Sequence, residues 1–272
     1  AGHSNLQGTT SVTVDAGVAS FTDLSFKATG TYTLTFTSSL GGFTVASSSL
    51  AVGSGPVRHI RVAANYQPAA SGTARAGSPL PVQPRVELLD LGVGTASGAE
   101  GTLVQVRVGS HPPGWTYEKK NALYGTVAAI ADSTGVARFT DLTLSVVGNY
   151  SLAFSIPGGP SVESDHFMVT TGPVATMSYI QQPGDAVDGT LLTVQPVVKL
   201  MDLGGNNAKG SPWLHIALRS GGGTLSGCDK AFAPEDSGVV TFSGCVITGG
   251  ASGDRTLVVQ TVEQGNVLTG TI

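Results

Sequence analysis

Residue types able to do covalent, metal or acid–base chemistry are sparse in this 272-residue chain: two cysteines, five histidines and 18 Asp plus Glu. The cysteines, Cys228 and Cys245, stand close together in sequence. They read as a disulfide between neighbouring strands, which needs Cα atoms within about 7 Å; two buried free thiols are the alternative. A disulfide implies an oxidising, extracytoplasmic compartment. His3, His59, His111, His166 and His215 are dispersed, with no His-x-His or His-Glu-x-x-His spacing to hold a metal. The strand histidines His59, His166 and His215 read as surface or edge residues. No Gly-x-Ser-x-Gly elbow and no phosphate-cradling glycine loop occurs. No cofactor, no metal site and no catalytic residue is therefore expected, and the chain reads as no enzyme.

Three further features carry weaker chemistry. Asp90 and Asp202 recur at one place in a repeat. Calcium would want six to eight oxygens, and each Asp has few acidic neighbours, so a side chain capping its own turn is the better reading. Asn149-Tyr150-Ser151 is the one N-x-S/T sequon, an expected glycosylation site in an extracellular setting, with an unused match as the alternative. The segment GSHPPGWTYEKKNALYG (109–125) brings Trp115, Tyr117, Lys119 and Lys120 onto a candidate contact loop. Exposed aromatics can stack on a sugar or dock on a protein; folding of Trp115 over the open end of its module is the bland alternative. Trp213 opens a strand and is expected to be buried in the core.

The elements that position these residues are set by a repeat. GVASFTDLSFKATGTYTLTF from Gly17 returns as GVARFTDLTLSVVGNYSLAF from Gly135, and more loosely as GVVTFSGCVITGGASGDRTLVV from Gly238. The copies lie roughly a hundred residues apart, the size of one β-sandwich and too long for a solenoid. Alternating Val, Phe, Thr, Tyr and Leu suit a pleated surface with one buried face. The fold class is all-β: sandwiches in tandem, arranged end to end. Residues 1–53 read as the C-terminal half of a module within a longer polypeptide. Residues 56–172 read as a complete module with the 109–125 insertion, and 173–272 as a module carrying the cysteine pair. Tyr32 and Tyr150 stand where a hydroxyl can tie a strand corner to the backbone; the third module has Arg255 there and the cysteine pair instead.

Composition agrees. Charged residues are only 12% and glycines number 38, which suits short strands and tight turns rather than helices. A net charge of −4 with no basic block argues against nucleic acid or an anionic membrane as partner. No stretch is apolar enough to insert in a bilayer.

At VKLMDLGGNNAKGSPWLHIALRSGGGTLSG the chain resembles the bacterial Ig-like repeats of the invasin/intimin type, with the Asp202, Gly205 and Asn206 turn and the GGGTLSG turn after it. Asp90 leads into Gly92-Val93-Gly94 without the Asn. Similar modules occur in algal and protist surface glycoproteins, including flagellar coat and fibre proteins. The resemblance implies spacer, adhesive or fibre-building roles at the cell surface. Partners would be neighbouring Ig-like modules and other copies in a coat or filament. A glycan-binding module using the Trp115/Tyr117 loop, or an accessory region of a secreted enzyme, are the alternatives. The linkers GSG and TTG each lead into Pro-Val, so the modules are expected to form a semi-rigid rod. Its expected length is about 100 Å, against roughly 37 Å for twice the radius of gyration of a compact globule of this size.

Overall fold

The computed structural model describes residues 5–68, 72–113, 122–208, 213–233 and 237–261. Its regular structure is β throughout, apart from a single 3-10 turn, Ala64–Tyr66, among those residues.

The second module is a two-layer sandwich. One layer contains His59–Val62, Arg85–Leu89 and Val136–Arg138, with Arg85–Leu89 central and antiparallel to both neighbours. The other runs Ala128–Ile130, Leu103–Val108, Leu152–Ser155, Ser161–Glu163, all antiparallel. Period-two alternation decides which face is inside. Val104 and Val106 point into the core while Leu103, Gln105 and Arg107 point out. Phe139, Leu142, Tyr150, Leu152 and Phe154, all read from the repeat, lie in one buried cluster with Val86, Leu88 and Leu144. The Phe139 and Phe154 rings meet at 5.3 Å.

Two strands finish the module. Gly148–Tyr150 pairs antiparallel with Phe167–Thr170, and Phe167–Thr170 pairs parallel with the short strand Ala74–Arg75. The last strand is thus held on both edges, and Phe167 and Val169 face the core. From Val169 the chain passes directly into the next module.

The third module repeats the plan. Thr176–Gln181, Val197–Met201 and Val239–Thr241 form one layer; Lys230–Ala231, Leu214–Ser220 and Thr256–Thr261 form the other. Val198, Leu200, Leu214, Ile216, Phe242, Leu257 and Val259 fill its separate core, and both cysteines belong to it. Residues 5–53 form three antiparallel strand pairs, in which aromatic side chains pack on one another (Phe21 on Phe36, Phe26 on Tyr32) and none is fully buried.

Candidate functional site: the joints between modules

Each linker ends in a glycine whose amide is captured by the recurrent aspartate. Asp90, 7% exposed, accepts the Gly94 N–H on one carboxylate oxygen and the Gly55 N–H on the other, both at 3.0 Å. Asp202, 2% exposed, accepts the amides of Gly204 and Asn206 on Oδ1 and that of Gly172 on Oδ2, all at 2.9 Å. Main-chain bonds close the same turn in both places, Asp90 N to Gly94 O and Asp202 N to Asn206 O. The turn cap read from the sequence is present, and its free oxygen reaches the linker as well. A buried carboxylate is tolerable because each oxygen is met by an N–H donor.

The same turn touches the module before it. A methyl group at Gly92 would lie 1.9 Å from the Lys27 carbonyl oxygen, and one at Gly204 would lie 2.2 Å from that of Ser145. Lys27 and Ser145 are equivalent positions, each three residues after the Leu of FTDL. Both turns therefore press bare glycine backbone against the same carbonyl of the preceding module, a place only glycine can fill. At the second joint Asn206 Nδ2 also donates to the Ser145 oxygen, at 2.7 Å. At the first, the Gly55 carbonyl accepts the Ser97 amide at 2.7 Å, and Pro56 bridges in parallel to Ser97. One position differs in backbone cost: Gly205 has φ 81°, and Val93, its counterpart, has φ 61°. A β-branched residue in that left-handed region is strained.

Cys228 and Cys245 are bonded, with Cα atoms 4.9 Å apart. Their surroundings show what the bond stands in for. In the first module Thr9 donates its amide and hydroxyl to the two oxygens of Asp23, each at 2.8 Å. In the second Thr126 does the same to Asp141, at 2.8 and 2.9 Å. Cys228 follows Gly227 as Thr9 follows Gly8 and Thr126 follows Gly125, and Gly244 takes the Asp position. The disulfide thus joins the same two segments as the Thr–Asp clasp, one residue along. The amide of Thr9, followed by its hydroxyl, holds the Asp23 carboxyl below its ordinary range.

The tyrosine corner is formed once. Tyr32 donates to the Ala28 carbonyl at 2.9 Å, whereas the Tyr150 hydroxyl is buried without a partner and burial pushes its pKa up. Trp213 is a correction to the expected buried core residue: it is 45% exposed and packs on Phe232, ring centroids 5.2 Å apart. The reason is parity. Leu214 and Ile216 face the core, so Trp213 and His215 fall on the outer side. Asn149 is exposed on the strand Gly148–Tyr150, opposite Met168. Trp115, Tyr117, Lys119 and Lys120 lie outside the described residues. His59 and His166 are exposed, and His215 is half-buried. Among the described residues no group of three or more His, Cys, Asp or Glu is placed to hold a metal.

No family model and no curated protein matches the chain. Among solved structures it is similar to FdeC, an adhesin of Escherichia coli, at 16% identity over 92% of this chain and 74% of that one, with a TM-score of 0.41. It is similar also to the D0–D1 domain of intimin, at 12% identity over 71% of this chain and 88% of that one, with a TM-score of 0.26.

Proposed function

We propose that this chain is a non-enzymatic structural and adhesive spacer of a large extracellular or cell-surface glycoprotein, one that builds a coat or fibre. It holds its modules as a semi-rigid rod and meets other copies side by side. The observation that carries this reading is the repetition of one joint: Asp90 with Gly55 and Gly92, then Asp202 with Gly172 and Gly204. A linker whose amide is hydrogen-bonded to the next turn, and whose next turn sits on the previous module, has little freedom left. A spacer needs that stiffness, because a flexible string of modules projects nothing to a defined distance. The Cys228–Cys245 bond supports an oxidising compartment, and exposed Asn149 supports a glycan on the module face.

Small-angle scattering tests the reading. The natural chain is expected to be extended, about 100 Å long rather than the roughly 48 Å diameter of a compact globule with the expected radius of gyration. Gly92→Val with Gly204→Val is expected to broaden the distance distribution while each module keeps its melting transition. A compact natural particle, or one as flexible as the double variant, would overturn the spacer mechanism.

A further inference from the structure

One face of the second module sets the sequon beside the second joint. Gly148–Tyr150, Phe167–Thr170 and Ala74–Arg75 form a small sheet whose register places Asn149 opposite Met168 and Thr170 opposite Arg75. Phe167 and Val169 turn into the core, so Met168 and Thr170 turn outward, and Arg75 is exposed beside them. Directly opposed side chains stand about 4.5–5.5 Å apart at Cβ, and diagonal ones about 7–8 Å. Asn149, Met168, Thr170 and Arg75 therefore follow one another across a single face. A groove of about 640 Å³ opens there, with Val147 and Gly148 on one side and Arg75 on the other, and it reaches the linker residues Thr171–Pro173. That volume lies within the range of about 300–1,000 Å³ usual for small-ligand sites.

The lining describes the occupant. Met168 is 56% exposed and Val147 is half-buried, which gives the groove an apolar floor; Thr170 and Arg75 give it a polar rim. A pyranose ring matches this pattern, because its C–H faces rest on apolar side chains while its edge hydroxyls meet a hydroxyl and a guanidinium. Acceptor and floor also come together in this module in particular. In the first, the same places hold Thr31 opposite Ala51, neither a sequon nor a large side chain. Ser151, the third residue of the sequon, is 0% exposed and bonded to Ser110 and Glu163, so a transferase must read the sequon before the module closes. Attachment joins the Asn149 side-chain nitrogen to the anomeric carbon of a sugar, which leaves its diphosphate carrier as the amide gives up a proton.

Resting on the reading of the chain as a glycoprotein spacer, we propose that the groove is the seat of the Asn149 glycan. Its first sugars lie over Met168 and Val147, and the next lie beside Thr170 and Arg75, against the linker Thr171–Pro173. The glycan then braces the second joint from outside, in addition to the bond from the Gly172 amide to Asp202. Weak contacts are enough for this, because a tethered ligand is present at an effective concentration in the millimolar range. The modification is thus a part of the rod's stiffness and not only a coating on its surface.

The test uses the full chain secreted from a eukaryotic host, with Asn149→Gln and Met168→Thr prepared in the same way. Peptide mapping is expected to find the sugar on Asn149. Amide exchange at residues 170–172 is expected to be about fivefold slower or more in the glycosylated chain than in Asn149→Gln, the lower end of ordinary coupling between sites. Met168→Thr, still glycosylated, is expected to lose that protection. A bare Asn149, equal exchange in the glycosylated chain and Asn149→Gln, or undiminished protection in Met168→Thr would each overturn the docking. Scattering on the same samples keeps this apart from the spacer reading. A particle that stays extended with and without the glycan leaves the spacer standing when the docking fails, whereas a compact one overturns the spacer whatever the exchange shows.

Discussion

Asp202 accepts the amide of Gly172 at 2.9 Å, from thirty residues further along the chain. The aspartate that caps the turn after Val197–Met201 therefore also fixes the linker by which its module is entered. Removing it leaves the amides of Gly172, Gly204 and Asn206 without their acceptor. Bonds to a charged group are each worth about 1.5–3 kcal/mol. Asp202→Ala is expected to lower the melting transition of the third module and free the joint, and Asp202→Asn to do so less, since one acceptor oxygen remains. Calorimetry with scattering on both variants checks this; a variant that melts with the parent and stays rigid would show that the bond carries no load.

Val93 invites the opposite change. It occupies left-handed backbone at φ 61° where the third module uses Gly205. Strain of this kind costs about 1–3 kcal/mol, and the entropy that glycine loses on folding offsets roughly 0.5–1 of it. Val93→Gly should stabilise the second module by about 1 kcal/mol, read as a higher urea midpoint. A lower midpoint would mean that Val93 contributes packing greater than its strain.

The disulfide and the Thr–Asp clasp occupy equivalent places but should differ in weight. Closing a loop of this length constrains the unfolded chain by about 3 kcal/mol, while the exposed bonds of Thr126 to Asp141 contribute nearer 1 kcal/mol. Reduction should therefore lower the melting temperature of the third module more than Thr126→Ala lowers that of the second. Peptide mapping without reductant should recover Cys228 joined to Cys245; two free thiols in protein from its native compartment would contradict the bond.

Tyr179 gives a pH dependence. Burial pushes its hydroxyl up to about 12, and the oxygen has no partner. Below the ordinary tyrosine value near 10 the group is protonated whether the chain is folded or not, and pH has no effect through it. Above 10 the unfolded chain ionises first, so folding stability falls as pH rises from about 10 to about 12. Tyr179→Phe should flatten that fall in the third module and leave neutral stability undiminished. An identical alkaline profile for the variant would show that Tyr179 does not report on the fold.

The layers were legible because strand parity is written in residue types. Val104, Val106, Leu152 and Phe154 sit at alternate positions of their strands, with Gln105, Arg107, Ser151 and Ser155 among the residues beside them, and all four point inward. The repeat likewise gave the Phe139-to-Phe154 core directly. Trp213 misled because a large aromatic at a strand start suggests a core residue, while its place one step before Leu214 puts it outside. The joint was half legible. A capping aspartate has a local signature, the turn it closes, but its second oxygen bonds Gly172 across the linker, and a non-local partner leaves no mark at fixed spacing. Gly92 and Gly204 could have been noticed as the glycines shared by two otherwise different turns, DLGVG and DLGGN.

The bond between Cys228 and Cys245 has a mechanical meaning besides its thermodynamic one. Its two ends are 17 residues apart, and a chain pulled straight gains up to about 3.3–3.6 Å per residue. While the bond is intact, that stretch is excluded from extension, so a third module torn open under tension would lengthen by about 55–60 Å less than its residue count allows. The second module, clasped at the same place only by Thr126 and Asp141, has no such reserve, and under load the two would give way in visibly different steps.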